Sequence, residues 1–238
     1  MERRPLLRRA LFFCGIFLVA TVALLPLHIA INSLGLVQRG LTARDAKGSI
    51  WWGSLRDARF GPVPLGDLNV GLRFLPILVG RATLDLDSAN GSKQLAGAAV
   101  VSRHSFGVEA MTGTLDVRAA AAPLPFQSLE LADLSFRFVG SNCRSAAGKV
   151  TATVNGEEFG LPLTGGLTGN ARCDGGALLL PLASQGGVVR VNMRADANGR
   201  ISVELIVTDA DAQVAERLTS AGFRRTNRGY VLRTYRGF

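Results

Sequence analysis

Histidine is almost missing from this chain: its 238 residues hold two, His28 and His104. Metal centres and general acid–base sites lean heavily on that side chain. His28 falls inside an apolar run. His104 stands among Ser102, Arg103 and Ser105 and reads as a surface histidine. A hydrolytic Ser–His pair there is the weakest reading, since no Gly-x-Ser-x-Gly elbow or orienting group accompanies it. Walker loops, dinucleotide fingerprints, HExxH and calcium-loop patterns are also absent. The adjacent Glu157 and Glu158 would point to opposite faces of a strand, a poor arrangement for paired acid–base work. These gaps leave no argument for an enzyme, a resident metal or a cofactor.

Cysteine is scarce as well, with three residues in the chain. Cys14 lies in the apolar run. Cys143 and Cys173 have no CxxC spacing and no nearby histidine, which leaves little basis for a metal or redox role. Acidic residues are outnumbered, with 18 Asp and Glu against 27 Lys and Arg, for a formal charge of +9.

What is present begins with residues 11–31, a stretch without Asp, Glu, Lys or Arg that follows Arg3, Arg4, Arg8 and Arg9. As a helix it would be roughly 31 Å long, close to the ~30 Å hydrocarbon core of a bilayer. Thirteen large apolar residues at about −0.4 kcal/mol each give on the order of 5 kcal/mol for insertion. The expectation is a single transmembrane anchor with residues 1–10 cytoplasmic and the rest on the far side, as positive charge before the helix requires. A cleaved signal peptide is the alternative, but its apolar region runs only about 7–15 residues and ends in a small-x-small site.

Export of the remaining chain changes how its other residues read. Disulfides persist outside the cytosol, so Cys143 and Cys173 are expected to pair, with free thiols as the alternative. Nucleic acid is an unsuitable partner across a membrane. Positive charge on the exported part instead suits anionic lipid headgroups or acidic protein surfaces, or a plain solvated surface.

Residues 32–47 read as a spacer, partly helical. The motif Gly48-Ser-Ile-Trp-Trp-Gly53 then brings together both tryptophans, Trp51 and Trp52. In a strand these would face opposite ways, one burying and the other meeting a neighbouring element, a partner or lipid. Beyond them apolar residues recur with period two: Leu68, Val70 and Leu72; Leu84 and Leu86; Leu134, Phe136 and Phe138; Val150, Ala152 and Val154. Val189, Val191 and Met193, then Asp196-Ala-Asn-Gly199, then Ile201, Val203, Leu205 and Val207 form the clearest hairpin. Residues 75–80 read as a turn or short helix with apolar contacts. Residues 119–125 have the composition of a connector and place a soft boundary within the β-rich region 48–238. Residues 212–221 suit a short helix capped by Asp209 or Asp211 and ended by Gly222. From Arg217 onward there are six arginines and no acid. Arg224, Arg225 and Arg228 are therefore candidate contacts for lipid headgroups or an acidic partner. The fold class is mainly β: an antiparallel, curved, groove-like or sandwich sheet with one short C-terminal helix.

Several of these features occur together and in order. The N-terminal anchor, the Gly48–Gly53 motif, Leu65-Gly-Asp-Leu, Phe74-Leu-Pro, Gly80-Arg81, the two exported cysteines and the C-terminal Leu218, Ala221-Gly222-Phe223 and Gly229-Tyr230 resemble the type II secretion system protein N family. Trp52 stands where that family's pattern has a small residue. The resemblance implies an accessory inner-membrane component of the apparatus that moves folded proteins out of a Gram-negative periplasm. It further implies a periplasmic domain without catalytic residues, meeting the inner-membrane platform or the secretin. Proteins of this shape also look similar to envelope proteins whose curved sheet holds lipid chains, the competing reading.

Overall fold

The computed structural model of the protein describes residues 13, 16, 17, 20, 21, 24–29, 40–89, 95–121, 124, 126–154, 166–208 and 210–237. These residues build one antiparallel sheet of sixteen strands. The first strands are β1 (Leu41–Thr42), β2 (Asp45–Gly48), β3 (Gly53–Phe60) and β4 (Val63–Leu72). After the one-turn helix α1 (Phe74–Ile77) come β5 (Arg81–Ser88), β6 (Ala96–Ser102) and β7 (Ser105–Asp116). A second single turn, α2 (Arg118–Ala121), leads into the two long strands β8 (Phe126–Val139) and β9 (Asn142–Val154). The remainder is β10 (Leu167–Asn170), β11 (Arg172–Asp174), β12 (Ala177–Ala183), β13 (Val189–Ala195), β14 (Arg200–Val207), α3 (Ala212–Ser220), β15 (Arg224–Thr226) and β16 (Gly229–Gly237).

Spatial order nearly follows chain order, β1-β3-β4-β5-β6-β7-β8-β9-β10-β12-β13-β14-β16-β15, with β2 on β3 and β11 on β12. The result is a single open sheet rather than a sandwich. It curls far enough for β4 to meet β7, three places away. The sheet runs unbroken past residues 119–125, because β7 and β8 pair on either side of them. Within 32–47, the described part is strand rather than helix, since β1 and β2 both pair with β3.

Period two puts apolar side chains on the inner face, and the register lines them up across strands: Leu55 opposite Leu68, Val70 opposite Leu86, Leu131 opposite Val150, Val191 opposite Leu205. Leu68, Val150, Leu167, Leu182, Val189, Val191 and Val207 are fully buried in one continuous core. Each such side chain contributes about 1.5–3 kcal/mol of transfer free energy.

At three of the places where the register shifts, the period breaks at a β-bulge with left-handed backbone. Leu55 and Ala58, Val108 and Met111, and Leu131 and Leu134 are three residues apart, yet five of them lie in the core and Val108 packs against it. Between them Asp57, Ala110 and Asp133 take left-handed backbone at φ 49°, 51° and 55°, where the pairing register shifts. The bulge lets two inward residues flank an extra pair, at a cost of about 1–2 kcal/mol for each left-handed residue. A side chain on the neighbouring strand takes up each displaced amide: Asp67 accepts from Asp57 N at 2.9 Å, Ser135 from Ala110 N at 2.8 Å, Thr112 from Asp133 N at 3.2 Å. Bulges bend a sheet and tighten its twist, which gives a physical cause for the curl.

The β13–β14 hairpin forms as its sequence requires. Asp196 organises the turn by accepting from Asn198 N and Arg200 N at 2.9 and 3.0 Å. Asp211 caps α3, its carboxylate accepting from Val214 N at 2.8 Å. At the other end Gly222, at φ 91°, allows Phe223 N to bond Leu218 O and Gly222 N to bond Thr219 O, both at 3.0 Å. That double bond pattern closes the helix, and Leu218 and Phe223 bury together beside it.

Single-turn helices α1 and α2 join the expected C-terminal helix. No helix among the described residues is long and apolar enough to cross a membrane. Ten of residues 11–31 lie outside the described set, as do Glu157 and Glu158, and the helix expected over 11–31 is broken at residues 24–26, where Pro26 bridges Ser49.

Candidate functional site

Trp51 and Trp52 do not lie in a strand. They sit in the tight turn between β2 and β3, where Ser49 N donates to Trp52 O at 3.2 Å and Trp52 N donates to Ser49 Oγ at 3.3 Å. The two rings part company for a different reason from strand alternation. Trp51 is half-buried, its ring 5.9 Å from that of Phe74. Trp52 is 85% exposed. Beside them, the turn from α1 into β5 carries Phe74, Leu75, Ile77, Leu78 and Val79, all exposed. Most of the apolar surface of residues 75–79 is thus left uncovered by the described residues. Phe74 alone leans on Trp51. This end also receives the N-terminal segment: Pro26 bridges Ser49, and Ile50 N donates to Leu25 O at 3.1 Å.

Cys143 and Cys173 form a disulfide with a Cα–Cα separation of 5.5 Å. It ties the start of β9 to β11. Four-residue β10 lies between β9 and β12 but stops short of this level, where Cys143 N donates to Gly176 O at 2.7 Å.

Arginines gather at the far end of the strand order. Period two on β13, β14 and β16 leaves Asn192, Glu204 and Arg233 opposite one another on the outer face, with Arg194, Ser202 and Tyr235 in the next row. Arg233 donates to Glu204 from Nε at 2.9 Å and from Nη2 at 2.7 Å, while Arg228 reaches the same oxygen at 3.5 Å. Those Arg233 bonds hold the Glu204 carboxyl below the usual carboxylate range against the opposing pull of burial, with Asn192 and Arg228 assisting. Arg172, Arg194, Arg228 and Arg233 line a shallow outer pocket of about 400 Å³ with Glu204 as the one carboxylate among its lining residues. Arg224 and Arg225 stand apart on the exposed edge strand β15, where charge discourages edge-to-edge pairing. Of the arginines singled out in the sequence only Arg228 lines this pocket, and its neighbours Arg172, Arg194 and Arg233 were not among them. Their common feature is the outward position on alternating strands, and only the register shows that these rows coincide.

His104 is exposed in the β6–β7 turn. Ser102 and Ser105 bond each other through their hydroxyls at 2.7 Å. Among the described residues no group of three or more His, Cys, Asp or Glu is placed to hold a metal ion.

Fold and surfaces together define a disulfide-bonded protein on one long curled antiparallel sheet, apolar at the end that receives its N-terminal segment and basic at the other. The model of the family "Type II secretion system (T2SS), protein N" matches residues 39–233. That span takes in nearly all of the sheet, and the chain belongs to this family. It is 31% identical over 150 residues to the type II secretion system protein N of Vibrio cholerae serotype O1 (strain ATCC 39315 / El Tor Inaba N16961). The match spans 59% of this chain and 59% of that relative's length. No solved structure matches.

Proposed function

We propose that the protein is an accessory component of the type II secretion apparatus, held in the inner membrane by a single helix within the apolar run 11–31, ahead of Leu25, Pro26 and Leu27, which are tied to the sheet. Residues 1–10 stay cytoplasmic, and the sheet stands in the periplasm as a scaffold or adaptor without an enzymatic role. There it meets inner-membrane platform proteins or the secretin. The observation that carries this reading is the family match over residues 39–233. The apolar run behind four arginines supports the topology, and the disulfide suits an oxidising compartment.

Deleting the gene in a strain that depends on type II secretion is expected to lower export of a folded substrate, with recovery on complementation. Undiminished export would sink the proposal. Alkaline phosphatase fused after Phe238 is expected to be active; a cytoplasmic reporter active at that position would refute the topology. The competing function, an envelope groove that binds or transfers lipid, needs an inner face open to acyl chains. Leu68, Val150, Leu167 and Val191 are buried within one core cluster, which favours the scaffold. Lipid co-purifying in fixed ratio with the chain, read by mass spectrometry, would reverse that preference.

A further inference from the structure

Phe74, Leu75, Ile77, Leu78 and Val79 together with Trp52 make up six of the exposed large apolar side chains among the described residues. Soluble surfaces rarely gather so much apolar area in one place without a use for it. Leu75 is 75% exposed and Val79 81%, on a stretch whose seven residues, 74–80, include no charged or hydrogen-bonding side chain. Arg73 and Arg81 flank it. Trp52 extends the patch from the neighbouring turn, joined through the Trp51–Phe74 ring contact.

The position of this patch says what it faces. Leu25 and Pro26, from the distal end of the apolar N-terminal run, are tied to Ile50 and Ser49 in the same turn that presents Trp52. Leu27 is buried at the base of that turn, against Gly53. Any bilayer entered by the apolar residues ahead of Leu25 therefore begins at this end of the sheet.

We infer that the β2–β3 turn and the α1–β5 turn form a second membrane contact, in which Trp52 and the side chains of residues 74–79 enter the headgroup region of the bilayer that holds the anchor. The inference rests on the anchor proposed above. Tryptophan belongs at that depth because its ring is apolar with one polar N–H. Short apolar elements that lie in the interface enter it by about 5–10 Å. Arg73 and Arg81 border the apolar turn, Arg73 donating to Asp85 at 2.8 and 2.6 Å and Arg81 lying 4.0 Å from Glu109, so charged groups mark where the apolar surface ends. Two contacts, one spanning and one interfacial, would fix how the sheet stands on the membrane.

Trp51 and Trp52 are the chain's two tryptophans, so fluorescence reads this patch directly. The full chain is reconstituted in phosphatidylethanolamine–phosphatidylglycerol vesicles, both as found and as Trp51→Phe, which leaves Trp52 alone. Replacing the phosphatidylethanolamine with lipid brominated near the top of its acyl chains is expected to remove most of the Trp52 emission, and aqueous iodide to quench little of it. In Leu75→Asp/Leu78→Asp both changes fall on exposed side chains, and circular dichroism checks that the sheet is kept. This variant is expected to regain emission and iodide access while still floating with the vesicles. Unaltered Trp52 that ignores the bromolipid and is quenched by iodide, in a chain that floats, overturns the inference and leaves the anchor standing. That result would assign the patch to a protein partner instead. A chain that fails to float refutes the anchor and the second contact together.

Discussion

Reducing the Cys143–Cys173 bond should cost this protein a defined amount of stability. The bond closes a loop with a sequence separation of 30. On the chain-entropy relation such a loop removes unfolded-state freedom worth roughly 3–4 kcal/mol. For a domain of this size each kcal/mol moves the melting temperature by about 2–4 °C, so reduction should lower it by roughly 7–15 °C. The loss should be felt on β9 and β11, where the short β10 no longer spans the sheet and the bond takes over the joining of strands. Thermal melts of the full chain in detergent, followed by circular dichroism with and without reductant, give the shift. The double variant Cys143→Ala/Cys173→Ala should melt with the reduced protein and show no further response to reductant. Alkylation of the unfolded chain supplies the control, with Cys14 as the single reactive thiol before reduction and three reactive thiols after it. Three reactive thiols without reductant, or a shift below about 2 °C, would refute the reasoning.

Leu218 is fully buried beside Phe223 at the closing turn of α3; Leu218→Ala should cost about 2–5 kcal/mol in a guanidinium titration. Losing the cap through Asp211→Ala should cost only about 1 kcal/mol by the same measurement. A Cβ on Gly169 would land against the Pro181 carbonyl oxygen of β12, so Gly169→Ala should destabilise by about 1–3 kcal/mol and loosen amide protection on β10. Glu204 has a lowered pKa in the folded chain. Its contribution is therefore complete above its unfolded value of about 4.3 and lost as pH falls through the lower folded value. Melting temperature should drop over that acid range in the native chain, with a smaller drop in Glu204→Gln.

Much of the fold could be read in the chain because strand alternation is a local signal. Val189, Val191 and Met193 against Ile201, Val203, Leu205 and Val207 needed only a short turn between them, and they pair as the pattern requires. The helix after Asp211 was equally local, since cap, apolar stripe and closing glycine all fall within a dozen residues. Strict alternation could not foresee the bulges at Asp57, Ala110 and Asp133, because each depends on an acceptor supplied by the adjacent strand. The Trp51–Trp52 pair was noticed for its composition, yet its geometry followed from a turn rather than a strand.

The sequence by itself determined the class of protein: an apolar N-terminal run behind arginines, short alternating strands, and two cysteines outside that run. Those features act over a few residues or through composition, so no folding is needed to read them. Tertiary structure alone decided how far the sheet curls, which arginines share the outer pocket with Glu204, and that residues 74–79 stand exposed beside Trp52. Each depends on strand register and on bulges that shift it, and a register is a relation between distant segments that no single segment encodes.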